Sequence, residues 1–537
     1  MMVNAYDALL VATHEVPAAP ARFALVLQPS QDPAERTSAV LNALIGLGAT
    51  VKPLSSLDPR VLVVELPGRV FTDPASSFEA AYALADQFDV EAAEPDLPTD
   101  FFPDSTSGEI RFAEESAGFP PGCWVPERPQ LYDNPLWALK NMNVPEAWKY
   151  SQDHDRPDRG DGIIVAQPDT GVTAHRELAG TLTVPGYDVL DRDSDPTDPL
   201  GPGGNPGHGT ATASVLVASE TPTVTGSAPK ARHMPIRAIR SVIRVSQVSV
   251  AEAIDWATDH GAHVITMSLG GLFSFSLHRA LRRAVAADVV VLAAAGNCVR
   301  TVVWPARYEE CVAVGGVNWE DVQWPGSCRG PAVDVSAPAE NVLRATVRNG
   351  DGARDFGQGQ GTSFAVALTA GVAALWLAHH GRANLIGAAR ARGETLQAMF
   401  LRLVRATARR PTDWKSFEMG AGVVDARALL AADFDLGRDR ETLSHTAGAD
   451  VTVRSLVAEA VSPEAAVDDE LDWHRFGPEL SFAMLREQQV SGGLQAETPA
   501  APADLSATLA KALTNPKLLR RFGLHTSEPE VGVKGES

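Results

Sequence analysis

The feature of this chain that most constrains its fold is a long alternation between strand and helix patterns. Apolar runs typical of buried strands occupy residues 162–166, 233–239, 264–267 and 289–294. Helical patterns at residues 250–260 and 277–287 lie between them. Because strands that alternate with helices usually pair in parallel, this alternation predicts an α/β fold in which helices cover both faces of a mainly parallel sheet.

Short polar or glycine-containing motifs follow three of these strands. They are Asp169-Thr170-Gly171, Ser268-Leu269-Gly270 and Ala295-Gly296-Asn297. In open parallel sheets, the residues that bind and react with ligands gather where the strands end. We therefore expect the functional residues of this chain along that edge of the sheet.

A serine stands at the predicted start of a long apolar helix. A glycine-rich approach leads to Gly361-Thr362-Ser363, and the apolar run behind it continues to residue 377. The start of a helix has unpaired N–H groups and a positive dipole end, which favour the oxyanion that forms when a serine attacks a carbonyl. Taken alone, the motif is more typical of a serine that caps a core helix.

Three further residues supply what a catalytic serine needs. His208 lies between two glycines and opens a helical run, and Asp169 follows a strand. A hydroxyl is a poor nucleophile near neutral pH, so an imidazole must take its proton and a carboxylate must orient and stabilise that imidazole. Asn297 adds an amide N–H for the oxyanion, beside the backbone N–H of Ser363. The combination predicts acyl transfer.

The order Asp169, His208, Ser363, with Asn297 before the serine, resembles the subtilisin-like serine proteases over about residues 135–430. The resemblance implies that Asp169 is the orienting acid, His208 the general base, Ser363 the nucleophile and Asn297 the oxyanion donor. It also implies a set of residues that wall the specificity pocket and pair with an extended substrate: Ser268, Leu269, Gly270, Ala295 and Gly296.

The chain departs from the pattern of that family at two positions. Ala211 stands where the family often has a second histidine, and Ala367 stands where it usually has a proline, four residues after the nucleophile. Neither change removes a catalytic group. The second change raises the question of how the first turn of the helix is held.

These features predict a serine endopeptidase that hydrolyses polypeptides through an acyl-enzyme on Ser363. Two other interpretations stay open. One is a protease-like scaffold whose site is kept shut by an uncleaved N-terminal domain. The other is a specialised processing enzyme that acts on one partner protein.

Five regions follow from the pattern and the composition. They are an N-terminal segment (1–21), a small α+β domain (22–96), a Pro-, Gly- and Ser-rich linker (97–135), the region with the motifs (136–432) and a C-terminal extension (433–537). The small domain has the ferredoxin-like order β-α-β-β-α-β and is similar to the inhibitory propeptide of the family, which implies a zymogen that cuts itself in the linker. The extension is predicted to be partly helical, at 471–489 and 505–522, and partly disordered, with a disordered tail over its last fifteen residues.

Charge and hydropathy limit the partners and the compartment. The net charge is −21, from 46 Lys and Arg against 67 Asp and Glu, so we expect no nucleic-acid surface. The first twenty residues lack the pattern of a signal peptide, and no uninterrupted apolar stretch reaches membrane-spanning length. We therefore expect a cytoplasmic protein, with secretion by an unrecognised route as the alternative, and polypeptide substrates and its own propeptide as partners.

Three secondary features complete the sequence predictions. No cofactor is required, but the acidic loop 188–198 is a candidate Ca²⁺ site because Ca²⁺ prefers oxygen ligands; a solvated loop is the preferred alternative. The arginines Arg237, Arg240 and Arg244 are interpreted as surface charge. A disulfide between Cys298 and Cys311 is left open.

Overall fold

The computed structural model describes residues 4–15, 20–97, 134–201, 205–221, 223–242, 245–297, 299–347, 354–438, 449–467, 470–492 and 505–522. Most of the predicted linker, the predicted disordered tail, Arg244 and Cys298 lie outside the described residues. The described residues form an N-terminal unit (4–97), a central unit (134–438) and a C-terminal segment (449–522).

The N-terminal unit is a four-stranded antiparallel sheet with helices. Its elements are α1 (Ala5–Ala12), β1 (Thr13–Glu15), β2 (Ala21–Val26), α2 (Pro33–Leu44), β3 (Thr50–Pro53), β4 (Val61–Leu66), β5 (Arg69–Phe71), α3 (Pro74–Phe88) and β6 (Ala92–Pro95). The sheet has the order β3-β4-β2-β6, and its strands and helices follow one another as predicted. Asp32 and Asp73 cap α2 and α3, each just before a proline that suits the first turn.

One part of this unit was not predicted. Helix α1 buries Leu9 and Ala12 in the same core as Leu84 of α3, and β1 pairs antiparallel with β5. These elements are only 8 and 3 residues long, too short for a periodic pattern to separate them from a loop.

The central unit contains the remaining strands and most of the helices. Its elements are α4 (Trp137–Asn141), α5 (Val144–Asp153), β7 (Ile164–Asp169), β8 (Tyr187–Asp188), α6 (His208–Val217), β9 (Arg232–Arg237), α7 (Gln247–Asp259), β10 (Val264–Met267), α8 (Phe275–Ala286), β11 (Val290–Ala294), β12 (Val312–Val317), β13 (Val335–Pro338), β14 (Val342–Val347), β15 (Arg354–Gly359), α9 (Thr362–His380), α10 (Arg382–Ala391), α11 (Leu396–Thr407), α12 (Ser416–Met419) and α13 (Ala426–Leu430).

Seven strands of this unit form one parallel sheet in the order β13-β12-β11-β10-β7-β9-β8, which confirms the predicted fold class. Successive residues of a strand point to opposite faces, so the sheet has two apolar sides. Val264 and Val290 pack into the core that contains α9, whereas Ile265 and Val291 pack into the core that contains α7 and α8. Strands buried on both faces read as continuous apolar runs, as the sequence does.

Helix α9 is the central helix of one of these cores. By length and composition alone it would be long and apolar enough to cross a membrane, but 94% of that stretch is buried inside the protein. It is therefore the core helix that the sequence predicts behind Ser363.

The C-terminal segment is helical over most of its described residues. It contains α14 (Ala449–Ala460), the short 3₁₀ helix Pro463–Val467, α15 (Trp473–Gly492), α16 (Ala507–Ala512) and α17 (Pro516–Arg521). Two further 3₁₀ helices lie elsewhere, at Ile45–Leu47 in the N-terminal unit and at Arg176–Leu178 in the central unit. The predicted single helix over 505–522 is wrong, because Asn515 caps a new helix that starts at Pro516. Helix α14 was not predicted, since the helices predicted in the extension lie only at 471–489 and 505–522.

Candidate active site

Asp169 and His208 form the best defined pair at the carboxyl edge of the sheet. Asp169 is the last residue of β7, and His208 is the first residue of α6. The Nδ1 atom of His208 lies 2.7 Å from Oδ1 of Asp169, which also accepts the N–H of Thr170 at 2.7 Å. Asp169 is fully buried and the His208 side chain is 11% exposed, so the pair is shielded but open on the imidazole side.

The second carboxylate oxygen of Asp169 is held by a buried polar network. It lies 3.2 Å from the hydroxyl of Thr212 and 3.5 Å from the amide nitrogen of Gln167. The Gln167 oxygen lies 2.8 Å from Nε2 of His233. Burial lowers the pKa of His233 to about 4, an effect that the Asp169 carboxylate opposes only in part, so His233 is a neutral donor near pH 7.

Asp198 joins the two loops that carry the pair. Its Oδ2 atom accepts the hydroxyl of Thr170 at 2.7 Å and the N–H of Gly207 at 2.8 Å. The Thr170 hydroxyl in turn accepts the N–H of Gly209 at 3.1 Å. A Cβ at Gly209 would stand 2.2 Å from the backbone oxygen of the turn after Asp169, so only glycine allows this close approach.

Ser363 lies in the first turn of α9, as predicted. Its hydroxyl is 3.4 Å from the carbonyl oxygen of Ser268, and the Ser268 hydroxyl donates to the Ser363 carbonyl at 2.9 Å. Within the described part of the chain, no hydrogen bond joins Ser363 to His208. The Ser363 carbonyl can also accept the N–H of Ala367, which a proline would lack, so both Ala367 and Ser268 hold this turn.

Asn297 lies beside the start of the same helix. Its Oδ1 atom accepts the N–H of Thr362 at 3.0 Å and the Thr362 hydroxyl at 2.8 Å. These two bonds occupy the acceptor oxygen of the Asn297 amide, so its N–H₂ group does not bind Thr362 and remains available as a donor. The position that a Cβ would take at Gly361 is 3.6 Å from this nitrogen, which places the amide next to the residues around Ser363.

The five predicted substrate-binding residues follow two neighbouring strands. Ser268, Leu269 and Gly270 follow β10, Ala295 and Gly296 follow β11, and the two strands pair in parallel. The side chains of Leu269 and Ala295 are buried in the core, so only their backbones are available to a ligand.

Val303 occupies the space between the two predicted walls. A Cβ added to Gly270 or to Gly296 would lie 2.7 Å from Cγ2 of Val303 in both cases. Val303 itself is buried, at 5% exposure. One methyl group of Val303 therefore contacts both predicted walls and fills the space between them.

Four residues with a role in this geometry were not singled out from the sequence: Thr362, Asp198, His233 and Val303. Thr362 stands next to the nucleophile in the motif itself, and its hydroxyl was the available signal. Asp198 was grouped with the acidic loop, and only its contacts separate it from its neighbours. His233 and Val303 lie in apolar segments that carry no local signal.

Two of the other carboxylates of the acidic loop converge on an arginine, and a third binds a threonine of the loop. Asp188 and Asp191 both pair with Arg237, and Asp195 binds the hydroxyl of Thr197 at 2.5 Å. Among the residues that the structure describes, no group of three or more His, Cys, Asp or Glu side chains is placed to hold a metal ion. These contacts do not fit a Ca²⁺ site in this loop.

Two of the secondary predictions are settled by burial. Arg237 is only 8% exposed and is enclosed by the two carboxylates, so its interpretation as surface charge is wrong, whereas Arg240 is exposed. Cys311 is a free, buried thiol and forms no disulfide. Burial raises the pKa of Cys311 well above its ordinary value, which makes it an inert side chain.

Comparison with known proteins identifies relatives of this chain over the region that contains the site. The profile of the subtilase family, peptidase S8, matches residues 160–422. Thermitase of Thermoactinomyces vulgaris is 34% identical over 264 residues, which cover 48% of this chain and 87% of thermitase. Subtilisin BL of Lederbergia lenta is 31% identical over 245 residues, 44% of this chain and 82% of that protein. Among solved structures, a protease of Pseudoalteromonas arctica PAMC 21717 has a TM-score of 0.47 and 27% identity, over 54% of this chain and 93% of that one.

Proposed function

The chain belongs to the subtilase family and is a serine-type endopeptidase, and we propose that it works through a triad of Asp169, His208 and Ser363. In this mechanism Ser363 attacks the carbonyl of a peptide bond while His208 takes its proton. Asp169 holds Nδ1 of the imidazole and stabilises the positive charge that forms. The contact of 2.7 Å between Asp169 and His208 is the observation that carries the proposal, because it leaves Nε2 of His208 free to act as the base.

The nucleophile must turn toward its base before it reacts. The Ser363 hydroxyl is engaged weakly, at 3.4 Å, with the Ser268 carbonyl. In the proposed mechanism, rotation about its Cα–Cβ bond would exchange this contact for one with Nε2 of His208, since hydrogen bonds of catalytic groups are often loose before substrate binds.

The oxyanion of the tetrahedral intermediate would be held by two donors. One is the amide N–H₂ of Asn297, which is aimed by the bonds of its oxygen to Thr362. The other is the backbone N–H of Ser363. The neighbouring N–H groups of Thr362 and Phe364 are taken by Asn297 and Gly361, so that of Ser363 is the amide left for a ligand in the described structure.

The substrate would pair as an extended strand with the residues that follow β10 and β11. The absence of side chains at Gly270 and Gly296 leaves room for Val303, which limits the depth of the gap between them. We therefore propose a preference for small apolar side chains before the cut bond.

A serine-reactive fluorophosphonate probe tests the triad. We expect the probe to label the chain once the linker has been cut and the N-terminal unit removed, and to leave Ser363→Ala unlabelled. Ser416→Ala is the matched control, because Ser416 is an exposed serine on α12 and should leave labelling unchanged. Absence of labelling in the parent would favour the shut scaffold, and labelling that persists in Ser363→Ala would assign the reactive serine elsewhere.

We further propose that the N-terminal unit is an inhibitory propeptide. Glu94, at the end of β6, is buried and accepts the N–H groups of Phe275 and Ser276, at 2.8 and 3.2 Å, at the start of α8. A carboxylate at the N-terminus of a helix is favoured by its dipole. Asp96 likewise accepts the N–H of Val248 at the start of α7, at 3.3 Å, and also the hydroxyl of Ser246 at 2.7 Å.

These contacts place the end of the described N-terminal unit beside the proposed cleft. Leu97 is the last described residue of the N-terminal unit, and it lines a small cavity with Val248 and Leu272. Leu272 lies two residues beyond Gly270, on the segment that would bind substrate. Leu97 therefore lies beside the segment that would bind substrate, and we expect self-cleavage between about residues 97 and 135.

N-terminal sequencing of the purified protein tests this second proposal. We expect a new N-terminus within the linker in the parent, and none in Ser363→Ala expressed alone. A Ser363→Ala chain that is shortened to the same product would show that another protease makes the cut. Degradation of casein, compared with cleavage of a single partner, separates a general from a specialised protease.

A further inference from the structure

The C-terminal segment contacts both of the other parts of the chain. We call its described residues (449–467, 470–492 and 505–522) the C-terminal clamp. Apolar side chains of the clamp, such as Leu456 and Leu480, share one buried cluster with Phe78 of the N-terminal unit and Phe273 of the central unit. The proposed catalytic mechanism uses none of these residues, so the clamp must serve another purpose.

One end of the clamp is anchored to the central unit. Glu459 of α14 accepts two bonds from Arg307, at 2.8 and 3.0 Å, and one from the hydroxyl of Thr301 at 2.9 Å. The side chain of Arg307 has no exposed surface. Loss of Glu459 from the buried Arg307 would strongly destabilise the protein, so we expect α14 to stay bound to the central unit.

The other end of the clamp holds helix α3 of the N-terminal unit. Glu479 of α15 is 2% exposed, and it accepts the hydroxyl of Tyr82 at 2.7 Å and that of Ser506 at 2.8 Å. The rings of Tyr82 and Phe476 stand edge to face at 5.3 Å. The centre of this contact is buried and specific, because its polar groups are paired with one another and its other side chains are aromatic.

Charged contacts surround this centre at its rim. Arg475 of α15 makes a bidentate pair with Asp86 of α3, at 2.6 and 3.0 Å. Thr508 of α16 donates its hydroxyl to Glu79 of α3 at 2.6 Å. These rim contacts are partly exposed and open to charge reversal by mutation, although the Arg475 guanidinium also lies 5.1 Å from the centre of the Tyr82 ring.

We propose that the C-terminal clamp is a docking surface for helix α3 of the chain's own N-terminal unit and keeps that unit bound after the linker is cut. The end of β6 binds the central unit through Glu94 and Asp96, while α3 binds the clamp. Because both surfaces belong to one chain, the N-terminal unit must leave both at once, which slows its release. The consequence for activity, a protease that stays inhibited after its cut, rests on the proposed function.

The test uses the full chain carrying Ser363→Ala, with the recognition sequence of a site-specific protease in place of residues 108–114. After the cut, the fluorescently labelled N-terminal fragment is followed by gel filtration at nanomolar concentration. We expect the fragment to co-elute with the rest of the chain. In Arg475→Glu/Thr508→Glu, like charges face Asp86 and Glu79, and the fragment should dissociate at least about tenfold faster.

Two further variants complete the design. The charge exchange that adds Asp86→Arg and Glu79→Arg to the double variant should restore slow release. The matched control is Arg390→Glu, which breaks an exposed pair with Asp288 inside the central unit and should not change the release. The proposal is overturned if the cut parent loses its fragment at once, or if the double variant releases the fragment no faster than the parent.

An active version of the cut chain separates this inference from the proposed function. Hydrolysis of a fluorogenic peptide is measured while the fragment is still bound. Full activity with a retained fragment would contradict inhibition by the N-terminal unit, but it would still support the clamp as a docking surface. Low activity that rises as the fragment leaves supports both.

Discussion

The oxygen of the Asn297 amide binds Thr362 twice, through the backbone N–H at 3.0 Å and through the hydroxyl at 2.8 Å. Thr362 directly precedes the proposed nucleophile, so one residue holds both the start of the helix and the proposed oxyanion donor. The two residues are 65 positions apart in the chain, and their contact is what orients the free N–H₂ group.

Loss of the Thr362 hydroxyl should lower the turnover number. In Thr362→Val the backbone bond to Asn297 remains but the hydroxyl bond is lost, and a bond worth ~1 kcal/mol predicts a fall in kcat of about fivefold. KM should change little, because the effect lies in the transition state. Steady-state kinetics on a peptide substrate measure both, and Thr362→Ser, which keeps a hydroxyl, should retain most of kcat.

A double variant tests whether Thr362 acts through Asn297. Asn297→Ala should reduce kcat by roughly 10²–10³, the range seen when one oxyanion donor is removed in a related protease. Thr362→Val should then cause no further fall, because the group that it orients is gone. Additive losses would mean that Thr362 acts by another route.

Shortening of Val303 should broaden the specificity. Val303→Ala removes the methyl groups that fill the space beside Gly270 and Gly296, so larger side chains before the cut bond gain room. We expect the ratio of kcat/KM for phenylalanine over alanine at that position to rise by about tenfold. The ratio is insensitive to a general loss of active enzyme. Val322→Ala, at an exposed valine, is the control, and an unchanged ratio in Val303→Ala would remove Val303 from the pocket.

Asp198 should prove to be a positioning residue. In Asp198→Asn an amide N–H₂ group replaces one of the two carboxylate oxygens. In one orientation of the amide the bonds from Thr170 and Gly207 are lost, and in the other the bond from the N–H of Leu200 is lost. We expect a loss of ~2 kcal/mol in the free energy of unfolding. We also expect a fall in kcat of about tenfold with little change in KM, because the loops that carry Asp169 and His208 lose their common anchor.

Two measurements separate this role from a purely structural one. Asp195→Asn, in the exposed part of the same loop, should alter neither stability nor kcat. If Asp198→Asn is less stable but keeps the parent kcat at a temperature where it is fully folded, Asp198 supports the fold alone.

His233 should make the folded state sensitive to acid. Burial lowers its pKa from 6.5 to about 4, so the unfolded chain takes up a proton before the folded chain does. The stability contributed by neutral His233 is present above pH 6.5 and is lost as the pH falls toward 4. The full loss is about 3 kcal/mol, of which about 2 kcal/mol is lost between pH 7 and pH 5.

Denaturant titrations at pH 7 and pH 5 measure this loss. His233→Gln keeps a donor for Gln167 but cannot take up a proton, so its stability should fall by about 2 kcal/mol less than that of the parent over this range. His260→Gln, at an exposed histidine, should behave as the parent does. Equal losses in His233→Gln and the parent would contradict the prediction.

The fold class was predictable from the sequence because its signals are local. The strand at 264–267 was predicted to the residue, and the helices at 250–260 and 277–287 were predicted to within a few residues of α7 and α8. The boundaries that failed lie where periodicity is short or interrupted, as at α1 and at the break before Pro516.

The positions of the candidate catalytic residues in the fold were also predictable, because each stands at a strand end or a helix start that its neighbours in sequence mark. The structure brings Asp169 and His208 together and places Asn297 beside the helix of Ser363. Their catalytic roles stay predictions. The arginine at 237 was misread because its charge is visible in the sequence, whereas the two carboxylates that bury it are not.

The sequence by itself determined the alternation of strands and helices, the edge of the sheet where the motifs lie, and the residue types available for chemistry. All three depend on periodicity and on spacing within a few residues. Only the tertiary structure decided that Thr362 binds the Asn297 oxygen, that Val303 fills the space beside Gly270 and Gly296, and that Glu479 binds Tyr82 across 397 positions. Such contacts arise from packing between distant segments, and a local pattern carries no record of which segments will meet.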